Sequence, residues 1–228
     1  KEKGSFSAES VNVNQVTGKT IDVEVYVRYQ IIDGNGYIIA ASRDISERKQ
    51  AERILAYKNE FQAVIMEVAT EFIDIDPDAL DDIINNTLER LGKFMNVDRV
   101  YLFKYNHEKQ TTSNTHEWVA EDINPEINNL QDIPFEYVPV WVQTHSKGEN
   151  IEVENTTKLP DGMFKELLLE QDIKSLIALP LMHDGVSIGF VGLDSVKDYR
   201  RFYDDEKVLL VLLSRMLVNV KERIRNIK

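Results

Sequence analysis

The amino-acid sequence predicts an α+β fold, and three patterns along the chain support that class. Apolar and polar residues alternate with a period of two between residues 21 and 31, which is typical of a half-buried strand. Between about residues 45 and 74 the apolar residues recur in heptads, which predicts a long helix. Two further strand-rich stretches, 97–119 and 175–196, are separated by helical and irregular sequence. Strands and helices therefore occur in separate runs rather than in strict alternation.

The first 43 residues predict three antiparallel strands that are joined by tight turns. The alternating stretch from Ile21 to Ile31 forms the middle strand, with residues 6–14 before it and residues 37–43 after it. The sequence Asp-Gly-Asn-Gly at residues 33–36 is a strong turn signal, because these residue types tolerate positive φ.

A long helix is predicted to begin after Asp44, which has the spacing from Glu47 of a capping box. Its apolar residues occupy two heptad positions, and only Lys58 interrupts them with a polar side chain. A continuous apolar seam of this kind indicates a partner helix, so we expect it to form a dimer contact. The seam consists of Ala51, Lys58, Ile65 and Phe72 in one register and Ile54, Phe61, Val68 and Ile75 in the other.

The middle of the chain predicts a mixture of helix, strand and irregular structure. Asp76 and Pro77 are the cap and first residue of a second helix, and Asn96 follows its end. Strands are predicted at residues 97–106 and 111–119, whereas residues 120–162 show no period. A short helix at 163–170 precedes a hairpin formed by residues 175–182 and 186–196.

The last helix is predicted to run from about Asp204 to the end of the chain. Its apolar residues keep the a and d spacing of a coiled coil, so we expect this seam also to meet a second copy of the chain. The seam consists of Leu210, Leu213, Leu217, Val220, Ile224 and Ile227.

Composition excludes several classes of function. The formal net charge of −12 makes nucleic acid and anionic membrane surfaces poor partners. The absence of Cys excludes disulfides, zinc–thiolate sites, thiol catalysis and thioether-linked chromophores, and it fits a reducing cytoplasm. No apolar run approaches the roughly 20 residues that span a bilayer. Because the chain begins with Lys1 rather than Met, we expect it to be a piece of a longer protein.

Two segments resemble known families. Residues 34–48, Gly-Asn-Gly-Tyr-Ile-Ile-Ala-Ala-Ser-Arg-Asp-Ile-Ser-Glu-Arg, resemble the closing strand and exit helix of a PAS domain. Residues from about 58 to 222 resemble a GAF domain of microbial sensor histidine kinases. The matching pieces are VDRVYLF at 97–103, KSLIALPL at 174–181, IGFVGLDS at 188–195, and Phe202 with Asp205 and Glu206.

The GAF resemblance implies an antiparallel sheet with helices packed on one face and a ligand pocket on the other. It also implies dimerisation through the first and last helices. The predicted organisation is therefore the incomplete end of a PAS domain at 1–43, a signalling helix at 44–75, the GAF body at 76–203, and a helix at 204–228 that connects to an output domain.

Three patterns match catalytic or metal-binding motifs only in part. Residues 185–189 read Gly-x-Ser-x-Gly, but the Ser follows a hairpin turn rather than a strand–turn–helix elbow. Asp74, Asp76 and Asp78 have calcium-loop spacing but lack its later Gly and Glu, so helix capping is the better interpretation. The four His residues are dispersed, and His145 is the one candidate for a haem ligand from a pocket wall. We therefore expect no metal site, no evident cofactor and no catalytic site.

A cyclic-nucleotide site is a further alternative that the resemblance raises. GAF domains of that kind carry an Asn-Lys…Phe-x-x-x-Asp-Glu signature, of which Lys197, Phe202, Asp205 and Glu206 remain. The Asn is missing, and the gap from Phe to Asp is one residue short. Aromatic residues are the candidates for the walls of a pocket for an unknown small molecule: Tyr101, Phe103, Trp118, Trp141 and Phe164.

The function expected from the sequence is conformational relay within a signalling protein, with a histidine kinase as its output. A change in the PAS segment, or a ligand in the GAF pocket, would shift the packing of helices between two chains. The alternative is a small-molecule receptor, for example for a cyclic nucleotide, that regulates a diguanylate cyclase or another output domain. An enzyme is the third class, and the sequence offers it no catalytic constellation.

Overall fold

The computed structural model describes residues 5–73 and 76–227, with side chains described as far as residue 220. The fold is α+β, as the sequence predicts, and it divides into two compact units at Ala63 and Val64. No helix in the described ranges is both long and apolar enough to cross a bilayer. The predicted seam residue Ile75 lies outside the described residues, and the side chain of Ile224 lies outside the described side chains.

The first unit contains a three-stranded antiparallel sheet and the first turns of a long helix. The strands are β1 (Ser5–Val13), β2 (Thr20–Ile32) and β3 (Asn35–Asp44), with β2 in the middle. The helix α1 (Ser46–Glu71) begins after Asp44, whose Oδ1 accepts a hydrogen bond of 2.8 Å from the Ser46 amide. The predicted meander and the predicted cap are both confirmed.

One face of this small sheet is apolar and solvent-exposed. It carries Phe6, Val27, Tyr29 and Ile38, and Ile38 is 75% exposed. Because an apolar patch of this kind seldom stays bare, the sequence suggests that it packs on a neighbouring chain, packs on the linker helix, or is disordered. The strands are formed, so the face is not disordered, and packing on another chain or on the linker helix stays a prediction.

The second unit is built on a six-stranded antiparallel sheet in the order β6–β5–β4–β9–β8–β7. Its strands are β4 (Arg99–Asn106), β5 (Thr111–Val119), β6 (Ile133–Pro134), β7 (Ile151–Val153), β8 (Ser175–His183) and β9 (Val186–Ser195). Its helices are α2 (Leu80–Met95), α3 (Pro139–Ser146), α4 (Met163–Glu170) and α5 (Asp204–Ile227), together with the last turns of α1.

The two faces of the large sheet carry different layers. Helix α2 contacts β4 and β5, and α5 contacts β8 and β9. Helix α3 contacts β7, β8 and β9, and a core of Tyr101, Trp141, Phe190 and other apolar residues fills the space on its side. Successive side chains of a strand point to opposite faces, so each central strand contributes to both layers.

The period of each segment predicts most of these elements correctly. Asn96 adopts φ 50° after α2, as its predicted place at the helix end requires. Asp184 and Gly185 both have positive φ and join β8 to β9 as a two-residue hairpin turn. The prediction that residues 120–162 are irregular is wrong in part, because this range contains α3 as well as β6 and β7.

The apolar seam of α5 lies inside the protomer rather than on its surface. Leu210, Leu213, Leu217 and Val220 are all buried within the single chain, where α5 packs on β8 and β9. The sequence predicts a dimer contact for these side chains. Their burial shows instead that they pack in the core of the protomer. An a/d pattern shows that a helix has an apolar stripe, but a sheet buries such a stripe as well as a helix does.

The predicted apolar seam of α1 is buried in its C-terminal part and exposed in its N-terminal part. Val68 is buried in the second unit, where Arg90 of α2 forms ion pairs with Glu67 and Glu71. Phe61 and Ile65 are half-buried, whereas Ile54 is 48% exposed. Val68 is thus a core residue, and the exposed part of the predicted seam is its N-terminal part.

Gly189 permits the close approach of β9 to β4, and we predict that Gly189→Ala is markedly destabilising. An added Cβ would lie 2.1 Å from the Phe103 carbonyl oxygen, which belongs to the backbone and cannot rotate away. We expect a loss of at least about 1–3 kcal/mol in the free energy of unfolding, measured by urea denaturation. Gly185→Ala is the matched control, because its φ is also positive but nothing lies within 4 Å. Equal losses for the two variants would contradict the clash.

Candidate functional site

A cavity of about 70 Å³ lies between the large sheet and the segment that follows β5. Its floor comes from β4, β5 and β9, and its cover comes from residues 130–173. The apolar lining consists of Phe103, Leu130, Ile133, Val138, Trp141, Leu167, Leu168, Ile173 and Phe190. The polar lining consists of Arg99, Tyr101, Thr112, Asn114, Glu117, Gln171 and Asp194.

Aromatic rings form the rigid wall of the cavity. Phe103 and Phe190 stack with ring centroids 4.6 Å apart, and Tyr101 meets Phe103 edge-on at 5.6 Å. Gly192 allows this arrangement, because a Cβ there would lie 2.3 Å from the Tyr101 ring. Such ring pairs have few rotamers, so the wall presents a fixed apolar surface to any occupant.

The polar end of the cavity is organised around a buried carboxylate. The Tyr101 hydroxyl donates a 2.7 Å hydrogen bond to Oδ1 of Asp194. Arg99 places Nη1 3.8 Å from Oδ2 of Asp194, but its guanidinium donates instead to the carbonyls of Asn124 and Gln171, at 3.3 and 3.1 Å. Asp194 is therefore held by one hydrogen bond and a loose ion pair.

A second carboxylate and an amide complete this polar end. Oε2 of Glu117 accepts hydrogen bonds from the amides of Glu126 and Ile127, at 2.8 and 2.9 Å. Nδ2 of Asn114 donates to Oε1 of Glu117 at 3.4 Å. The Asn114 side chain is buried, and its Oδ1 has no hydrogen-bond partner among the described residues.

Burial dominates the proton equilibria of these groups. It raises the pKa of Asp194 to about 7, against the lowering effects of Tyr101 and Arg99. It also raises the pKa of Glu117, with the two backbone amides opposing the shift. The pKa of Tyr101 is raised well above 10 by burial and by the adjacent Asp194 charge. Carboxyl groups with raised pKa values in a cleft are typical of functional sites.

His145 belongs to a separate buried cluster. Its Nδ1 lies 2.9 Å from the Tyr105 hydroxyl, and burial lowers its pKa to about 4, with the Ala178 backbone opposing the shift. Its Nε2 forms no hydrogen bond of normal geometry within the described part of the chain. His145 does not line the cavity, so the haem-ligand role weighed for it gains no support there.

The structure places three of the five predicted aromatic residues at the cavity. Tyr101, Phe103 and Trp141 line it, whereas Phe164 packs edge-on against Trp141 at 4.7 Å without lining it. Trp118 is wrong as a pocket residue, because its ring lies against Gly92 of α2 on the helix face of the sheet. Its neighbour Glu117 faces the cavity instead, as the alternation of β5 requires.

The other motifs have structural roles. Ser187 lies within β9 and donates its hydroxyl to the Gly189 carbonyl at 3.1 Å. Asp76 caps the turn before α2, since its Oδ1 accepts from the Asp78 amide at 3.1 Å; Asp74 lies outside the described residues. Within the described ranges, no three His, Asp or Glu side chains are grouped to hold a metal ion.

The residues of the cyclic-nucleotide signature lie away from the cavity. Phe202 is a core residue, Asp205 is exposed, and Glu206 forms an ion pair with Arg200. Nζ of Lys197 donates to the Glu121 carbonyl at 3.0 Å. None of these four residues lines the cavity, so they do not form a phosphate site there.

The polar end of the cavity is not among the sequence predictions, although the sequence pattern around two of its residues, Asp194 and Arg99, indicates a buried polar site. Asp194 is an isolated charge in the apolar segment 188–195, and Arg99 follows Asp98 near the start of the apolar segment 97–103. A charge in such a run is buried beside a partner or a ligand. Asn114 and Glu117 lie in a polar strand and carry no such contrast. A register shift between Leu102 and Phe103, where β4 pairs with β5, also alters which β5 residues face inward.

The raised pKa of Asp194 predicts a pH-dependent penalty to stability. The folded protein holds this proton up to about pH 7, whereas the unfolded chain releases it near pH 3.8, so Asp194 costs nothing below pH 4 and progressively more up to pH 7. Asp194→Asn still offers Tyr101 an acceptor. We expect its stability relative to the wild type to rise between pH 4 and 7, by on the order of 4 kcal/mol at most.

Chemical denaturation across pH 4–8 measures this difference. Asp198→Asn is the matched control for the substitution itself, because Asp198 is exposed on the loop after β9. His145 acts in the opposite sense, since its lowered pKa reduces stability as the pH falls below 6.5. Comparison with the wild type cancels that contribution. A flat Asp194→Asn difference would show that the carboxyl is not strained.

Comparison with known proteins gives one curated relative and several solved structures. The methanogenesis regulatory histidine kinase FilI of Methanothrix harundinacea (strain 6Ac) is 30% identical over 124 residues, which cover 50% of this chain and 13% of that kinase. The phycocyanobilin-bound GAF domain of a cyanobacterial phytochrome has a TM-score of 0.61 at 16% identity, covering 72% of this chain and 94% of that one.

Two further structures show the same fold. The blue-light absorbing form of the PixJ GAF domain of Thermosynechococcus elongatus has a TM-score of 0.55 at 14% identity, covering 68% of this chain and 95% of that one. The wild-type chromophore-binding domain of a Stigmatella aurantiaca phytochrome has a TM-score of 0.60 at 12% identity, covering 92% and 72%. At these identities the likeness concerns the fold alone.

The family is given by the sequence of the second unit. The GAF domain model matches residues 79–220 of the 228, a range that contains the six-stranded sheet, the cavity and most of α5. This chain belongs to the GAF domain family.

Proposed function

We propose that this chain is the sensory module of a signal-transduction protein, and that occupancy of its cavity is relayed to an output domain through α5. A sensor histidine kinase is the proposed parent. The support for this class is the partial relationship to FilI, a regulatory histidine kinase. The domain is proposed to deliver movement rather than chemistry.

The observation that carries the proposal is the position of Asp194. It lies at the polar end of the cavity and one residue before the end of β9, and the following residues lead directly into α5. The adjacent residues Val191 and Leu193 are fully buried on the opposite, helix-facing side of the same strand. A ligand that displaces β9 would therefore press on the layer that holds α5.

The loop between β9 and α5 is tied down by charged side chains, so it can transmit such a displacement. Oδ2 of Asp98 accepts from the amides of Val196 and Lys197, at 2.6 and 2.8 Å. Arg200 donates to the Met95 and Asn96 carbonyls at the end of α2, at 3.0 and 2.9 Å.

Arg200 also forms an ion pair with Glu206 in the first turn of α5. Oε2 of Glu206 in turn accepts from the Tyr203 amide at 2.7 Å, which fixes the helix start. A stiff connection of this kind moves as a unit, and coupling between two sites is typically worth about 1–3 kcal/mol.

The ligand of the phytochrome relatives is a poor model for this cavity. The phycocyanobilin-bound structure holds a linear tetrapyrrole, whereas this cavity measures about 70 Å³, well below the roughly 300–1,000 Å³ of sites for drug-sized ligands. The chain also has no Cys to form a thioether. We therefore propose a small, noncovalent ligand.

Association into a dimer is proposed through the exposed stripes of the long helices. Ile54 of α1 and Val208 of α5 are 48% and 52% exposed, so both side chains are accessible to a partner chain. The assignment of the N-terminal sheet to a PAS domain likewise stays a prediction, as does an output domain after α5.

The two tryptophans of the chain give a direct test of the relay. Trp141 lines the cavity, and Trp118 lies across the sheet against α2. Xenon fills small apolar cavities whatever the natural ligand is. In protein labelled with 5-fluorotryptophan, we expect xenon to shift the fluorine resonance of Trp141 and also that of Trp118, because the sheet conveys the change. Trp141→Phe assigns the two signals.

A shift of Trp141 alone would show a passive cavity and would overturn the relay. If neither resonance moves under xenon pressure, the cavity does not accept an occupant, and the sensory proposal fails with it.

Self-association is tested by substituting the exposed stripes rather than the buried seam. We expect Ile54→Glu and Val208→Glu to keep the fold and to reduce the mass in sedimentation equilibrium towards that of a monomer. Lys104→Glu, an exposed change on β4, is the control. Leu213→Glu is unsuitable, because Leu213 is buried and the variant would unfold. A monomeric wild type at high concentration would contradict the dimer.

A further inference from the structure

The polar end of the cavity contains hydrogen-bond acceptors without donors to match them. Oδ1 of Asn114 is buried and has no partner in the described part of the chain. Nη1 of Arg99 lies 3.8 Å from Oδ2 of Asp194, which is too far for a hydrogen bond. A buried acceptor that stays unsatisfied costs about 1–3 kcal/mol, so a group that could supply the missing donor is favoured at this place.

The orientation of the Asn114 amide follows from its neighbour. Glu117 can only accept when ionised, so the amide atom that faces its Oε1 at 3.4 Å is the donor Nδ2. The carbonyl oxygen is therefore the atom left over. Asn114 is a lining residue of the cavity, so the unmatched acceptor belongs to its wall.

The donor-bearing side chains of the cavity are already engaged with protein acceptors. The Tyr101 hydroxyl donates to Asp194, and the Thr112 hydroxyl donates to the Lys104 carbonyl at 3.2 Å. Nε2 of Gln171 donates to the Leu167 carbonyl at 3.1 Å. A ligand with only acceptor groups, such as a phosphate or a carboxylate, would find both hydroxyls committed and, among these side chains, the second N–H of the Gln171 amide left to donate.

The charged side chains at the polar end of the cavity also favour a ligand that donates hydrogen bonds. Arg99 is the cation of the cavity lining, and it donates to two backbone carbonyls and lies 3.8 Å from both Asp194 and Glu126. Glu117 adds a further carboxylate to the lining. The lining thus holds two carboxyl groups against one guanidinium, which already lies near Asp194 and Glu126, so a cationic group is favoured over an anionic one.

We propose that the cavity binds a small primary amine, with its ammonium group directed at Asn114, Asp194 and Glu117 and an apolar body against Phe103, Phe190 and Trp141. An ammonium group offers three donors, which the unmatched acceptors can take up, and its charge balances the excess of carboxylate. The aromatic wall suits an apolar body of about the size of one ring. This inference rests on the proposed sensory function, because it names the class of ligand for the same cavity.

The raised pKa values of Asp194 and Glu117 fit this ligand class. A bound cation would stabilise both ionised carboxylates and so lower both pKa values. The cyclic-nucleotide alternative is disfavoured for the same cavity, because its phosphate would lie beside the carboxyl groups of Asp194 and Glu117.

Four probes of one shape distinguish the possible head groups: benzylamine, benzyl alcohol, benzoate and phenyl phosphate. We expect titration calorimetry on the whole chain to give benzylamine at least a tenfold higher affinity than each of the other three. Benzoate or phenyl phosphate binding as tightly as benzylamine would overturn the proposal, and so would a failure of benzylamine to bind at millimolar concentration.

Two substitutions test the named contacts. Asn114→Leu removes the free acceptor, and Glu117→Gln removes a charge with little change of shape. We expect each to weaken benzylamine binding about tenfold or more, as loss of a hydrogen bond to a charged group does. Asn86→Leu, the same change on the exposed face of α2, should leave binding unchanged. Full affinity in both cavity variants would contradict the assignment.

The two proposals fail separately. If xenon moves the Trp118 resonance but benzylamine shows no preference, the relay stands and the ligand class falls. If benzylamine binds with the expected selectivity and Trp118 is unaffected, the ligand class stands and the relay falls.

Discussion

The alternation of side chains along β9 is the constraint on which the rest of the structure depends. Phe190 and Asp194 face the cavity, while Val191 and Leu193 face the helices, because a strand must direct successive residues to opposite sides. The same short segment therefore forms the floor of the cavity and the support of α5. A displacement of the strand would therefore reach both layers, which is the basis of the proposed relay.

The buried carboxylate at the end of that strand explains why the polar end is built as it is. A charge in an apolar core is expensive unless neighbours compensate it, and Tyr101 and Arg99 compensate Asp194 only in part. The cluster therefore lowers the stability of the fold, and it leaves one acceptor, Oδ1 of Asn114, without a donor. Strain of this kind concentrates at functional sites, where a bound partner relieves it.

The sequence determines most of the fold but less of the site. Period and turn chemistry predict the strands, the Asp184–Gly185 hairpin and both long helices, because these depend on local pattern. Helix α3 escapes such analysis, since its Val, Trp and Thr residues have weak helix propensity and tertiary contacts decide its conformation. The predicted dimer contact of Leu213 and the predicted pocket role of Trp118 are wrong for another reason. Periodicity identifies an apolar face, but it does not show which element covers that face. The acceptor role of Asn114 arises only from three-dimensional neighbours, which no linear pattern encodes.

The most direct test of this account is amide hydrogen exchange, followed by NMR, with and without xenon in the cavity. We expect altered protection in β9 and, together with it, in the turns of α5 up to Val220, because the strand supports the helix. Altered protection confined to the cavity lining, with every α5 amide unchanged, would contradict the claim that the sheet couples the two.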